Sequence, residues 1–295
     1  MNATVVIPVR NMATVLGAQL DALYHQTATT PWEVVVVDNA SSDDTLAVAQ
    51  GWAQRFSRLR VIEAAERPSA GHARNVGASS VGGRSIGGPA VATDALLFCD
   101  ADDIVGPGWV AAMVEALHEH ELVTGPFECY RLNPPHIARL MPAFTTGSPP
   151  TAYQYLQYAT TANMGVRRGL FDALGGFRAR YFTGNDLDFT WRAQLAGATL
   201  YFEPRAVVHR RLPQRLGLVA RRQASYSSEA PLLYQDYGRY GMPASPPLRA
   251  VRYWLALTLR SPALLLPSRR GPWCRDVGHQ LGRLVGSARH RCLYL

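Results

Sequence analysis

The sequence predicts an α/β fold: a mostly parallel sheet flanked by helices, followed by a helical extension toward the C-terminus. Two observations carry this. In the first hundred residues, short runs rich in Val, Ile and Leu alternate with segments whose apolar residues recur at helical spacing, the pattern of βαβ units. Beyond Glu203 the alternation stops, and an arginine-rich, helix-patterned stretch interrupted by prolines takes over. The expected division is residues 1–211 as the sheet-bearing domain and residues 212–295 as the helical extension.

Strands are predicted at Thr4–Ile7, Glu33–Val37, Leu59–Glu63 and Ala95–Cys99. Their near-continuous apolar content suits parallel strands covered on both faces. Three helical stripes accompany them: Leu16, Leu20, Leu23 and Tyr24; Leu46, Ala49, Trp52, Ala53 and Phe56; and Val110, Met113, Val114 and Leu117. Pro107 is placed as a first-turn proline of the third. Residues 79–93, rich in Gly, Ser and Ala, predict a flexible surface loop, and residues 132–151, with five prolines, predict a crossing over the sheet edge. Prolines between 243 and 247, Pro267 and Pro272 are expected to break the C-terminal helices.

A chain of 295 residues with 47% hydrophobic content is long enough to bury one large core or two modest ones. Its net charge of +8 is unevenly spread: from Arg205 to Leu295 sixteen arginines face three acids, Glu229, Asp236 and Asp276. That asymmetry points to an anionic partner at this end, a nucleic acid or an anionic membrane surface. Every Lys-or-Arg position is Arg, so part of the bias reads as codon usage. Cys99, Cys129, Cys274 and Cys292 are too widely spaced for paired metal ligands or a dense disulfide framework, which fits a reducing cytosol. No charged leader precedes the first strand. The longest apolar stretch, Tyr253 to Leu266, is broken by Arg260 and Pro262 and is shorter than the roughly 18 residues of a spanning helix. The expected location is cytoplasmic, or peripheral on the cytoplasmic membrane.

Ligands of open α/β sheets sit beyond the carboxyl ends of the strands, so the polar residues directly after strands are the candidates. The first strand leads into Pro8-Val9-Arg10-Asn11, the second into Asp38-Asn39-Ala40-Ser41-Ser42-Asp43-Asp44, and the fourth into Asp100-Ala101-Asp102-Asp103. Asp38 reads either as a capping or turn aspartate or as a ribose ligand. Asp100 and Asp102 are more specific. Two carboxylates one residue apart after a buried strand repel each other unless a cation or donor pairs them, and Mg2+ or Mn2+ suits such oxygen ligands. The alternative is an acidic turn capping the next helix. In Ala70-Gly71-His72-Ala73-Arg74-Asn75-Val76-Gly77 the arginine suits a phosphate, and the small residues permit close backbone approach. There is neither a G-x-G-x-x-G after the first strand nor a phosphate-binding G-x-x-x-x-G-K-[ST].

Five segments taken in order, V-V-I-P-V-R-N, V-V-V-D-N-A-S-S-D-D-T, A-G-H-A-R-N-V-G, L-L-F-C-D-A-D-D and G-N-D-L-D-F-T-W-R, resemble the family 2 glycosyltransferases with the GT-A fold. The resemblance covers roughly Ala3 to Arg211. It implies an inverting hexosyltransferase that uses a nucleotide-sugar donor and a divalent metal, Mn2+ or Mg2+. By the same resemblance Pro8, Val9 and Asn11 line the base and ribose pocket, Asp38 hydrogen-bonds the base, and Arg74 lies near the donor phosphates. Asp100 and Asp102 stand at the family's D-x-D element as ribose and metal ligands. Where the family carries a Glu-Asp pair, this chain has Asn185 and Asp186, so Asp186 is the expected catalytic base and Asn185 marks an altered acceptor pocket. The other reading of Asp186 is a first-turn helix aspartate, a part that suits Asp188 better. His209, after the apolar strand expected at Ala206-Val207-Val208, is a third metal ligand or a structural histidine. Asn163, in Ala162-Asn163-Met164-Gly165, and the Gly175-Gly176-Phe177 turn are placed on the acceptor side or in packing. From Asn75 to Asp100 the spacing exceeds that expected between these elements, and the excess coincides with the Gly-rich stretch.

The acceptor is expected to be a saccharide, a lipid-linked molecule or a small molecule. Uridine, thymidine and guanosine donors all remain open. In the tail, Trp254, Leu255, Leu257, Leu259 and Leu264 to Leu266 are bordered by Arg249, Arg252, Arg260, Arg269 and Arg270, which suits either an interfacial helix on an anionic membrane or a helix packed on the catalytic domain. No nucleic-acid-reading motif accompanies the charge. The alternatives to glycosyl transfer are a sugar-1-phosphate nucleotidyltransferase, disfavoured by the missing Lys-bearing phosphate loop, and an inactive membrane-associated scaffold, favoured only by Asn185.

Overall fold

A computed structural model describes residues 1–80, 93–139 and 147–295. The expected Gly-rich loop falls almost entirely outside the described residues, as does the middle of the proline-rich crossing. In chain order the first elements are β1 (Ala3–Val9), α1 (Leu16–Tyr24), β2 (Trp32–Asp38), α2 (Thr45–Arg55), β3 (Leu59–Glu63), α3 (Ala70–Ser79), β4 (Ala95–Cys99), β5 (Ile104–Val105) and α4 (Trp109–Glu119). Then come β6 (Leu122–Thr124), β7 (Phe127–Glu128), α5 (Pro135–Ala138), β8 (Thr151–Ala152), β9 (Leu156–Gln157), β10 (Asn163–Arg167), α6 (Arg168–Ala173), α7 (Asn185–Leu195), β11 (Leu200–Phe202) and β12 (Val208–His209). The C-terminal helices are α8 (Leu216–Ser227), α9 (Ala230–Tyr237), α10 (Pro247–Leu259) and α11 (Pro267–His290).

Residues 1–128, 143–150 and 157–210 form one compact unit, and residues 129–142, 151–156 and 211–295 form another. The first is built on a seven-stranded sheet of order β11-β6-β10-β4-β1-β2-β3. The pairs β4–β1, β1–β2, β2–β3 and β11–β6 are parallel, while β10 runs antiparallel to both β4 and β6. The sheet is therefore mostly parallel, as expected, with one reversed strand. The continuous apolar strands are buried because helices cover them: Val34 to Val37 and Leu96 to Cys99 have no exposed surface. Gly77 shows how tightly α3 sits on the sheet. A Cβ there would collide with Val6 of β1 and Val37 of β2.

Two local expectations shift. Pro107 lies outside α4, before its N-cap Gly108, because the helix begins only at Trp109. Ala206-Val207 is not strand; β12 is Val208–His209, so His209 lies within the strand and faces Ile104 of β5 in register.

The second unit is helical. Gly278, Gly282 and Gly286 of α11 run along the backbone of α8, and a Cβ on any of them would collide with the carbonyl oxygen of Ala220, Ala224 or Ser228 respectively. Two matched rows of small residues, each spaced by four, allow the backbones this approach. Pro272 is not a break: it lies inside α11, five residues after the start, where it removes one hydrogen bond of a long ladder. Among the described residues no helix is long and apolar enough to cross a membrane.

Candidate active site

The carboxyl ends of the parallel strands β1, β2 and β4 share one edge of the sheet, with Val9 of β1 opposite Asp38 of β2. Asp38, 4% exposed, accepts from the Ser41 amide through Oδ2 at 3.1 Å, while its buried Oδ1 accepts no hydrogen bond within the chain. A buried carboxylate oxygen left in this state is costly unless a ligand donor reaches it. The loop after β1 is clasped to the loop after β2. Asn11, at φ +54°, accepts the Ser42 amide at 2.8 Å, its own amide bonds the Ser41 hydroxyl at 3.0 Å, and the Met12 amide bonds the Thr45 hydroxyl at 2.7 Å. Much of the polar A-S-S-D-D-T run is thus spent on shaping the loop. Pro8 is half-buried, Val9 is buried and Asn11 is exposed beside it.

At the end of β4, carboxylate oxygens of Asp100, Asp102 and Asp103 lie within 4.8 Å of one another. The loop holding them is pinned from α1 by Gln19, wholly buried, which donates to the Asp100 carbonyl at 3.2 Å and accepts the Val105 amide at 3.0 Å. From α3, Arg74 reaches in through Nη2 to Asp100 Oδ1 at 2.8 Å. Arg74 is 5% exposed, and its Nε, also buried, has no acceptor within the chain. The A-G-H-A-R-N-V-G segment is thus a helix that delivers a guanidinium to the acidic cluster. Asn75, the next residue, anchors the Gly175-Gly176-Phe177 turn by donating to the Phe177 carbonyl at 2.8 Å and accepting its amide at 2.9 Å.

Asp186 stands in the first turn of α7, where its Oδ1 accepts the Leu187 amide at 2.9 Å. Burial pushes its carboxyl up to about 6; the Leu187 bond and Arg74 pull down, and Asp100 pushes up. That Arg74 and Asp100 both act on Asp186 puts the three groups in one electrostatic neighbourhood. Asp188 is different: it has no exposed surface and bonds Arg192 Nε at 3.0 Å and Arg178 Nη1 at 3.3 Å. Arg192 also donates to the Leu174 and Gly176 carbonyls at 2.7 Å each, so this aspartate braces the turn below the site. Asn185 is 4% exposed and packs against Gly71 of α3, with its amide 3.5 Å from the Phe182 carbonyl.

At two positions the placement favours the structural one of the two readings. Asn163 offers no surface to an acceptor. It is fully buried, accepts from Trp109 Nε1 at 2.8 Å, and donates to the Ala206 carbonyl at 2.9 Å and the Pro126 carbonyl at 3.2 Å. Its amide ties β10 to the approach of β12, a packing part. His209 does not join the three-carboxylate cluster. Its Nδ1 bonds Glu128 Oε2 at 2.8 Å across the β12–β7 pair, although its register opposite Ile104 places it one residue beyond Asp103. Gln19 and Glu128 were not singled out from the sequence. Gln19 carried one faint signal, a polar residue among the apolar positions of α1.

Comparison with known proteins fits this geometry. Glycosyltransferase AglE of Haloferax volcanii is 28% identical over 203 residues, covering 68% of this chain and 63% of that protein. The pre-mycofactocin glycosyltransferase of Mycobacterium tuberculosis is 27% identical over 247 residues, 78% of this chain and 47% of that protein. The chain therefore spans about half to two thirds of the length of these curated relatives. Among solved structures, the mannosyltransferase PcManGT of Pyrobaculum calidifontis, in complex with GDP-Man and Mn2+, superposes with a TM-score of 0.66 at 20% identity, covering 98% of this chain and 86% of that one. TarS of S. aureus in complex with UDP-GlcNAc gives 0.55 at 15%, covering 99% and 93%. These last two show the GT-A fold. The family model described as glycosyl transferase family 2 matches residues 4–175, more than half of the chain and all of the strand ends described above, and the chain belongs to that family.

Proposed function

We propose that the protein transfers a sugar from a nucleoside diphosphate donor to an acceptor hydroxyl by direct displacement, with inversion at the anomeric carbon and assistance from a divalent cation. The observation that carries this is the bonding of Arg74 to the Asp100–Asp103 cluster, with Asp186 close enough that Arg74 and Asp100 both act on its carboxyl. An acceptor hydroxyl is a poor nucleophile. Asp186, raised to about 6, is a base matched to neutral pH, able to take the hydroxyl proton as the oxygen attacks. The bond from the sugar to the diphosphate breaks on the opposite face, so one base and one displacement invert the centre. Arg74 balances charge on the departing diphosphate, and Asp38 Oδ1 is the acceptor offered to a base N–H.

The cluster supplies only oxygen donors, which fits Mg2+ or Mn2+. When bound there by Asp100 and Asp102, such an ion offsets negative charge building on the leaving group. His209 lies outside that cluster with its Nδ1 on Glu128, and takes the structural one of its two readings. Pro8, Val9 and Asn11 serve the base and ribose. Hexosyl transfer, and an acceptor that is a saccharide, a lipid-linked molecule or a small molecule, complete the reading.

The test is incubation with manganese and a panel of nucleotide sugars. Slow release of nucleoside diphosphate from one donor, stopped by chelator, is expected. Pyrophosphate release from a nucleoside triphosphate and a sugar phosphate would assign a nucleotidyltransferase instead, and failure to bind any nucleotide would assign a scaffold.

A further inference from the structure

The helical unit carries a surface that glycosyl transfer does not use. Helix α10 has two apolar faces. Ala250 and Leu257 are buried, while Leu248, Val251, Leu255 and Leu259 on the opposite side are 53–80% exposed. Their spacing of three and four residues makes one row, with an arc of about 80° at 100° per residue. The turn that follows extends it with Leu265 and Leu266, 82% and 57% exposed. A soluble surface helix normally sets its polar side outward, so a continuous outward row of leucines calls for an occupant.

The charge around the row says which. Between Asp236 and Asp276 there is no acidic residue, and Arg249, Arg252, Arg260, Arg269 and Arg270 lie exposed along α10, its following turn and the start of α11. Asp276 itself is 8% exposed and is held by Arg275 at 3.1 Å and by Arg260 at 3.7 Å, so Arg249, Arg252, Arg269 and Arg270 carry most of the outward charge. A second copy seated on this row would bring arginines against arginines. A bilayer with anionic headgroups offers both complements at once, acyl chains for the leucines and phosphates for the guanidinium forks.

We infer that the outer face of α10, with the Leu265–Leu266 turn, is the seat on which this protein docks to an anionic lipid bilayer, lying in the interface without crossing it. The inference stands apart from the proposed chemistry, because neither the donor nor the acidic cluster enters it. Flotation of the full chain with vesicles of phosphatidylglycerol and phosphatidylcholine tests it, with pure phosphatidylcholine vesicles as the comparison. The expected result is binding to the anionic vesicles that weakens as salt rises. The double substitution Leu255→Gln and Leu259→Gln should lower partitioning by at least about tenfold, since two large apolar side chains leave the acyl region. Arg252→Gln and Arg269→Gln should each lower it about fivefold, on anionic vesicles only. All four side chains are exposed, so melting temperature and nucleotide binding should be unchanged, which separates loss of docking from loss of fold. Absence of binding to anionic vesicles at low salt overturns the inference. So does a lipid-free dimer in sedimentation that the leucine substitutions dissolve, which would give the row to a second copy.

Discussion

Asp188 in the sheet unit and Leu259 in the helical unit mark opposite uses of burial. The aspartate has no exposed surface and is held by Arg178 and Arg192; the leucine is 80% exposed on a helix bordered by arginines. The sheet unit draws charge inward, pairs it and surrounds it with apolar strands, so that electrostatics act at low dielectric where chemistry needs them. The helical unit leaves cations and apolar side chains outward, as the proposed docking on a bilayer requires. The same residue type thus meets two environments: Arg74, 5% exposed, is bonded to Asp100, and Arg269 is exposed.

The sharpest way to break that contrast is at Asp186. Asp186→Asn should lower transfer by about 10²–10⁴-fold, the usual worth of a positioned base, with nucleoside diphosphate affinity changed only a few-fold. Turnover and calorimetric binding on the same variant check it, and a large loss of donor affinity would make Asp186 a binding group. Next is Asp102→Asn. If the cluster binds donor through a cation, nucleoside diphosphate affinity in manganese should fall by about tenfold or more, and what remains should be indifferent to chelator.

Asp186 also predicts pH behaviour. As a base it acts deprotonated, so the transfer rate should climb with pH and level off above about 6. Stability runs the other way. The folded chain holds this proton more tightly than the unfolded chain, whose carboxyl titrates near the ordinary aspartate value of 3.8. Ionising Asp186 therefore costs stability progressively as pH rises from about 4 to about 6, and the full cost is present above that. In chelator, Asp186→Asn should raise unfolding free energy at pH 7.5, with about 3 kcal/mol as the ceiling, and the gain should shrink to nearly nothing at pH ~3, below both titrations. Denaturant titrations at the two pH values measure the difference.

How legible this was in the sequence differs between the two units for physical reasons. Parallel strands buried on both faces announce themselves as apolar runs, and β3 and β4 have the bounds their residues suggest. Candidate ligand-facing residues stand at or just past strand ends, so position alone singles out Asp38, Asp100 and Asp102 for the proposed site. Gln19 and Glu128 act through partners 81 residues away in the chain, and no local pattern reports such contacts. Asn163 stays ambiguous in sequence for a related reason: the resemblance leaves it on the acceptor side or in packing, and only its distant partners, the Trp109 indole and two carbonyls, point to packing. In the tail, arginine and proline dominated the reading, and the matched small residues of α8 and α11 were overlooked, since either row means little without the other.

Those small residues give the finest test of the comparison, because glycine has opposite meanings in two helices. Gly51 lies within α2 with nothing close enough to touch an added Cβ, so it contributes only backbone freedom to the unfolded chain. Gly282 lies within α11 where an added Cβ meets the backbone of Ala224, which cannot turn aside as a side chain would. Gly282→Ala should therefore force α8 and α11 apart and destabilise the chain by about 1–3 kcal/mol, the usual cost of overpacking. Gly51→Ala should stabilise it by about 0.5–1 kcal/mol through helix propensity. Urea denaturation of the two variants beside the parent reads both signs. If Gly282→Ala proved as harmless as Gly51→Ala, the helix pair would have to be looser than the contact between α11 and Ala224 allows. The cohesion of the helical unit would then rest on its apolar side chains, with no requirement for close backbone approach.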